Sequence, residues 1–244
     1  MRQIRIYTPG PLESGSVIEL DARATGHVVR VLRLRPGDSI ELFDGHGKQA
    51  SAELVEADRR AGCRVKILQW SDPAPESPLR ITLIQALARG DKMDWIVQKS
   101  VELGVAAIQP ITSARCEVRL DERRIESRMR RWTEIMIGAC EQSGRAWLPR
   151  LQAPVELKNL DPEPACRLFL QPQSEATIAG LELKPTSLAL GLAIGPEGGW
   201  NETDLAQLQA AGFKGIRLGP RVLRTESAGI AAIAALQVLF GDMG

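Results

Sequence analysis

Two segments of the 244-residue chain combine residue types and spacings that can do chemistry. The first is Leu192-Ala193-Ile194-Gly195-Pro196-Glu197-Gly198-Gly199-Trp200-Asn201. An apolar strand runs directly into Gly-Pro-Glu-Gly-Gly and then into a helix capped by Asn201. Glycines at three of five positions let backbone approach a ligand closely, and Pro196 stiffens the turn. The spacing is not GxGxxG and no Gly-Lys-Ser/Thr follows, so neither a dinucleotide turn nor a P-loop is indicated. A tight strand-to-helix turn without a ligand satisfies the same residues. The second segment is Ile216-Arg217-Leu218-Gly219-Pro220-Arg221-Val222-Leu223-Arg224-Thr225-Glu226-Ser227-Ala228. Here too a strand ends in Gly-Pro, and an extended loop leads to an apolar helix. Backbone groups of such a loop can hold a flat heterocycle by its edge while Leu218 and Leu223 cover its faces. The plainer alternative is a solvated charged loop, with Thr225 or Ser227 capping the last helix.

Three further clusters are weaker by themselves. Glu141-Gln142-Ser143-Gly144-Arg145 brings an amide, a hydroxyl and a guanidinium to a helix end, and helix ends are commonly polar. Along Lys92 to Gly104, Gln98, Lys99 and Glu102 crowd one helical face, as in an i,i+4 salt-bridged surface. The basic residues Arg2, Arg5, His27, Arg30, Arg33 and Arg35 suit phosphate contacts, and the 27, 30, 33 spacing shares a helical face. A solvated face has the same spacing. His27 and His46 lie far from any nucleophile pattern, and no G-x-S-x-G occurs. Cys63, Cys116, Cys140 and Cys166 are widely spaced without a CxxC pair, so buried thiols are expected rather than a disulfide framework or metal site.

Positioning these groups requires two kinds of architecture. Ser71-Asp72-Pro73-Ala74-Pro75-Glu76-Ser77-Pro78 cannot continue a helix or central strand and is read as a linker over 71–78. Before it, 1–70 carries short alternating runs at 17–20, 39–43, 48–54 and 64–68, with turn signals between them and a short helix at 25–32. That pattern predicts a small β-barrel. After it, 79–244 alternates. Strands are expected at 81–87, 105–111, 166–170, 187–194 and 215–218, and helices at 91–103, 121–142, 201–211 and 227–240. Asp91 is the expected cap of the first of these helices, and the apolar stripe of the second is Ile125, Met129, Trp132, Met136 and Cys140. Alternation of this kind implies a parallel α/β sheet covered on both faces, with ligands beyond the carboxyl ends of its strands, at the loops after 170, 194 and 218.

Composition narrows the function classes. The chain is 44% hydrophobic and 25% charged, an ordinary globular balance. A formal charge of +1 disfavours binding to nucleic acid through bulk charge alone. The charge is uneven: 13 Lys+Arg against 9 Asp+Glu over 80–150, and 7 against 10 over 151–244. A polyanion would favour the first domain and the arginine-rich helix. No apolar core follows Met1-Arg2-Gln3-Ile4-Arg5, and the charge-free stretch Ser227 to Gly241 is shorter than the roughly 20 residues of a membrane span. A cytoplasmic protein with no membrane partner is expected.

Taken together, the two Gly-Pro loops resemble the cofactor-loop motifs of the SPOUT methyltransferases, and within them the RsmE family of 16S ribosomal RNA uridine-N3 methyltransferases. The Lys92 to Gly104 helix, Glu141-Gln142-Ser143-Gly144-Arg145, the start from Arg2 to Tyr7 and the His27 to Asp38 stretch are similar to that family as well. The resemblance implies a C-terminal α/β domain with a deep trefoil knot, a PUA-like N-terminal barrel and a homodimer. It also implies 16S rRNA as the partner, within the 30S subunit or a late assembly intermediate, S-adenosylmethionine as the cofactor, and no metal. Carried over by position, Ile194, Gly195, Glu197, Gly198 and Gly199 form one cofactor wall and Leu218, Gly219, Arg221 and Leu223 the other. Leu170 makes a third contact, with Gln171 beside it. Arg224 and Arg221 stabilise the reacting base, and Gln142, Ser143 and Arg145 hold its edge. Arg2, Arg5, His27, Arg30 and Arg33 meet RNA. A non-catalytic ribosome-assembly factor, and a SPOUT enzyme acting on transfer RNA or a ribose 2′-hydroxyl, are the alternatives. The intact glycines of both loops disfavour the former; the barrel-first order disfavours the latter.

Overall fold

The period-2 runs of the first seventy residues become a five-stranded sheet in the computed structural model, which describes residues 3–58, 60–118, 121–161, 163–182 and 189–244. Arg2 and the first two residues of the strand expected at 187–194 lie outside the described residues. The chain forms two compact units, one of residues 1–75 with 140–148, the other of 76–139 with 149–244.

In the first unit the elements are β1 (Arg5–Tyr7), β2 (Val17–Glu19), α1 (Ala22–Gly26), β3 (Ser39–Phe43), β4 (Gln49–Asp58) and β5 (Gly62–Ser71). The strand order is β1-β3-β4-β5-β2, with β1 parallel to β3 and the other pairs antiparallel. In β5, Cys63, Val65 and Ile67 are buried while Arg64 and Lys66 face solvent, the alternation that period 2 predicts. These side chains join Ile6, Leu20, Val28, Leu42 and Leu54 in one core, where each buried aliphatic contributes about 1.5–3 kcal/mol. β1 is three residues long, too short to show a period.

The helix expected at 25–32 divides. Asp21 caps α1 by accepting a hydrogen bond from the Ala24 N–H at 2.7 Å. From His27 to Leu32 the winding is π-helical, and the Arg33 and Leu34 N–H groups both reach the Val28 carbonyl. An i→i+5 turn takes residues three apart off a common face. The shared face expected for His27, Arg30 and Arg33 is therefore not formed: His27 is half-buried, and Arg30 and Arg33 are exposed, with Arg33 past the end at φ 55°.

The second unit contains β6 (Arg80–Ala86), α2 (Lys92–Glu102), β7 (Ala107–Thr112), most of α3 (Glu122–Ser143), β8 (Arg150–Leu151), β9 (Val155–Glu156), β10 (Cys166–Leu170), β11 (Ala189–Ile194), α4 (Glu202–Ala210), β12 (Lys214–Ile216) and α5 (Thr225–Phe240). Its sheet runs β12-β10-β11-β6-β7-β8, with β9 also on β7, and every pairing is parallel. Both faces are covered. Ile84 and Ala86 pack with Leu208 of α4 and Phe213 on one side, while Leu83 and Gln85 lie under Gly229 of α5 on the other.

Helix ends follow local chemistry, with two corrections. Asn201 and Asp204 form a reciprocal capping box on α4, as the Asn201 cap predicted. Gly104, Gly144 and Gly212 take positive φ where α2, α3 and α4 stop. Asp91, however, gives α2 no side-chain cap, and neither Thr225 nor Ser227 caps α5: Arg224 holds that position, and the Thr225 hydroxyl is used elsewhere. Of the α3 stripe, Trp132, Met136 and Cys140 are buried and Ile125 and Met129 half-buried. All four cysteines are thiols, Cys63 and Cys140 buried, Cys116 and Cys166 half-buried. Among the described residues no helix is long and apolar enough to cross a membrane, and no group of three His, Cys, Asp or Glu could hold a metal ion.

Candidate active site

Three loops leave the carboxyl ends of neighbouring parallel strands: one after β10, one after β11 and one after β12. They enclose a cleft of about 610 Å³ in the second unit. Its lining includes Leu170, Gln171, Ile194, Gly195, Glu197, Gly198, Gly199, Leu218, Gly219, Arg221, Leu223 and Arg224. The residues expected to form the two walls and the third contact thus come together. The cleft has apolar faces from Leu170, Ile194, Leu218 and Leu223, exposed backbone along two glycine-bearing turns, and cations at Lys92, Arg115, Arg221 and Arg224. Such a lining fits a flat heterocycle with a charged tail.

The glycines of the first loop are required for different reasons. A Cβ on Gly195 would come within 3.1 Å of the Trp200 ring, whose indole N–H donates to the Leu170 carbonyl at 3.2 Å. A Cβ on Gly198 would meet the Arg115 Cβ at 3.1 Å, and Arg115 Nη1 donates to the Gly198 carbonyl at 2.9 Å. Gly199 takes φ +69°, a left-handed conformation that favours glycine. The close approaches at Gly195 and Gly198 are thus made by protein side chains, which the sequence did not indicate.

Polar contacts join the walls. The Thr225 hydroxyl donates to the Gly195 carbonyl at 2.6 Å and accepts from Gln85 Nε2 at 3.0 Å, with Gln85 and Thr225 both buried. Glu197 Oε1 accepts from Lys92 Nζ at 3.1 Å and from the Arg89 N–H at 3.2 Å. The cap of α4 is Asn201, not Glu197. Burial pushes the Glu197 carboxyl up, but hydrogen bonds from backbone N–H groups and from Lys92 outweigh that and hold it below the usual carboxylate range.

The remaining expected site residues lie in the first unit. Gln142 and Ser143 end α3 exposed, and Arg145 is half-buried just beyond; none of the three lines the cleft. Arg30 is exposed beside a smaller groove of about 360 Å³ that it shares with Arg60, Glu19 and Thr25. Arg5 is corrected. Its guanidinium is an ion-pair partner of Glu41, donates to Gln49 Oε1 at 3.1 Å and to the Arg145 carbonyl at 3.3 Å, and lies over the Phe43 ring. Burial lowers its pKa, and it holds the first unit together rather than facing a polyanion.

Lys92, Arg115, Trp200 and Thr225 were not indicated as site residues. Lys92 and Trp200 stand in segments whose pattern was visible, but periodicity says nothing about a partner on another loop. Arg115 follows β7 in a stretch with no motif.

Comparison with known proteins bears on this site. A family described as an RNA methyltransferase domain matches residues 75–237, and one described as an RNA methyltransferase PUA domain matches 20–66. The chain is 34% identical over 245 residues to the ribosomal RNA small subunit methyltransferase E of Buchnera aphidicola subsp. Schizaphis graminum, covering 98% of this chain and 97% of that one. It is 41% identical to the crystal structure of a ribosomal RNA small subunit methyltransferase E from Neisseria gonorrhoeae bound to S-adenosyl methionine, with a TM-score of 0.91 and full coverage of both chains. A Legionella pneumophila structure in complex with bound SAM is 38% identical at a TM-score of 0.95, covering 99% of this chain and 100% of that one. The fold is thus a PUA-like unit followed by a SPOUT-like α/β unit.

Proposed function

The chain belongs to the ribosomal RNA small subunit methyltransferase E family, S-adenosylmethionine-dependent rRNA methyltransferases, and from that premise we propose that its acceptor is N3 of a uridine in 16S rRNA. The observation that carries this reading is the convergence of both Gly-Pro loops and the end of β10 on one cleft. We assign Leu170, Ile194, Gly195, Glu197, Gly198, Gly199, Leu218, Gly219, Arg221 and Leu223 to holding the cofactor. S-adenosylmethionine supplies an electrophilic methyl group on sulfur. The leucines and Ile194 exclude water from the faces of its heterocycle, and loop backbone groups hold the edge.

Uracil N3 carries an imide proton that must leave before the nitrogen can attack. The protein's task is to orient the base in line and to stabilise the imide anion, for which Arg221 and Arg224 supply donors. Glu197, paired to Lys92 and held in its ionised form, is assigned to the loop rather than to the role of base. A role for Gln142, Ser143 and Arg145 at the base edge is carried over from the resemblance alone, since none of the three lines the cleft of its own chain, and the homodimer, the trefoil knot and a 30S or late-assembly substrate are proposed on the same ground.

On the first unit, exposed Arg30 and Arg33, with half-buried His27, are proposed to meet RNA phosphates; Arg60, which lines the same groove as Arg30, joins them. Arg30→Ala is expected to weaken rRNA binding uniformly across sequences and to lower the salt-dependence slope by about 1, with cofactor affinity unchanged. Filter binding over a salt series, with calorimetric titration of the cofactor, measures both. A loss of cofactor affinity would contradict the division of labour between the units.

The reading is tested by transfer of labelled methyl groups to undermodified 30S subunits, with free 16S RNA and transfer RNA alongside. Label recovered as 3-methyluridine from 30S is the expected result. Label only in transfer RNA, or in a ribose-methylated nucleoside, would overturn it.

A further inference from the structure

Lys92 is the first residue of α2, yet its ammonium reaches two different walls of the cleft. Nζ is 3.1 Å from Glu197 Oε1 on the loop after β11 and 3.3 Å from Glu226 Oε2 in the first turn of α5. Those two carboxylate oxygens can be no farther apart than the two distances combined. Without a cation between them, two negative charges would face one another at the junction of the walls. Glu226 makes this acute. Its Oε2 is buried, and the Lys92 ammonium is its ion-pair partner and the balance for its charge. Two neighbouring cations are engaged elsewhere: Arg89 pairs with Glu117, and Arg115 donates to the Gly198 carbonyl. The hydrogen bond to Glu197 keeps Lys92 firmly protonated.

The walls are therefore joined at two places. Gln85, Thr225 and the Gly195 carbonyl form a buried link, and Glu197, Lys92 and Glu226 form a partly exposed one. The buried link fixes where α5 begins relative to β11. The partly exposed link joins Glu197, which is followed by Gly198 and Gly199, to Glu226, which is preceded by Leu223 and Arg224, and all four of those neighbours line the cleft.

We propose that Lys92 is a positioning residue that sets the separation of the two cofactor walls by binding one carboxylate from the loop after β11 and one from the start of α5. The proposal rests on the cleft being the S-adenosylmethionine site. It predicts that losing the ammonium splays the loops and weakens cofactor binding, while the chemistry of a filled site proceeds at nearly its normal rate.

The test is calorimetric titration of S-adenosylmethionine into the full-length protein and into Lys92→Met, Lys92→Arg, Glu226→Gln and the Lys92→Met/Glu226→Gln double variant, each checked for thermal stability. Lys92→Met is expected to raise Kd about tenfold, the size of a coupled polar contact, and Lys92→Arg to restore most of it. The double variant is expected to bind no more weakly than Lys92→Met alone, because removing Glu226 also removes the repulsion that the lysine balances. In methyl transfer, KM for the cofactor should rise while kcat stays within about twofold. Unchanged affinity in Lys92→Met, or strictly additive losses in the double variant, would overturn the strut. So would a loss confined to kcat. Absence of binding by the unmodified protein would instead overturn the assignment of the cleft itself.

Discussion

Gly198→Val is expected to weaken cofactor binding by about a hundredfold, corresponding to the upper end of overpacking penalties at about 3 kcal/mol. The reason is local. A Cβ at this position would stand 3.1 Å from the Arg115 Cβ and 3.4 Å from its Cδ, tighter than ordinary contact, before valine's two methyl groups are added. The loop cannot simply tilt, since the Arg115 guanidinium is bonded to the Gly198 carbonyl. Relief comes by moving the loop into the cleft or Arg115 out of its seat, and each changes the wall that Ile194 to Gly199 present. Because the strain is confined to an exposed turn, the variant should keep its fold by circular dichroism while titration heats with S-adenosylmethionine fall away. Normal heats from a folded variant would remove this loop from the cofactor site.

Arg224→Ala is expected to lower the rate of methyl transfer by about 10²–10³, the loss that follows removal of one preorganised donor to a developing anion. Arg224 lines the cleft, and its carbonyl takes the Ser227 and Ala228 N–H groups that start α5. Its backbone role survives truncation, so the side chain can be tested without unseating the helix. Cofactor affinity should change by less than about threefold, because the contact is made to the base in the transition state. Single-turnover rates at saturating cofactor on 30S subunits measure the effect. Arg224→Lys should recover only part of the rate, since an ammonium lacks the planar fork. A full rate in Arg224→Ala would move anion stabilisation to Arg221 or to backbone donors.

The periods of the sequence made the layered plan legible. Strand–turn runs marked the first unit, alternation marked the parallel sheet, and the three loops after β10, β11 and β12 were visible as strand ends followed by glycine or proline. What stayed hidden were contacts between side chains far apart in the chain. Arg115 meets Gly198 across 83 residues and Lys92 meets Glu197 across 105. Neither spacing leaves a local signature. Thr225 shows the same limit in reverse. A hydroxyl at a helix start reads as a cap, but a buried glutamine and a carbonyl within reach offered it better partners. The arginines at 30 and 33 were placed on one face by α-helical geometry, but the segment winds as a π turn that ends before Arg33.

The first unit's second piece, residues 140–148, has a consequence for how this molecule can be cut. Glu141 accepts from the Tyr7 N–H at 3.1 Å and from Arg23 at 2.9 Å, the Leu148 N–H donates to the Gly45 carbonyl, and Trp147 bridges to the 45–46 turn. A chain ended in the proline-rich stretch would therefore give an N-terminal fragment lacking the partners of Tyr7, Arg23 and Gly45. Its C-terminal counterpart would carry the end of α3 with the groups it normally binds gone. The polypeptide enters the second unit at residue 76, returns to the first at 140 and leaves it again at 149. Three covalent crossings make the two units interdependent in folding, so neither can be lost, swapped or borrowed by clipping one linker.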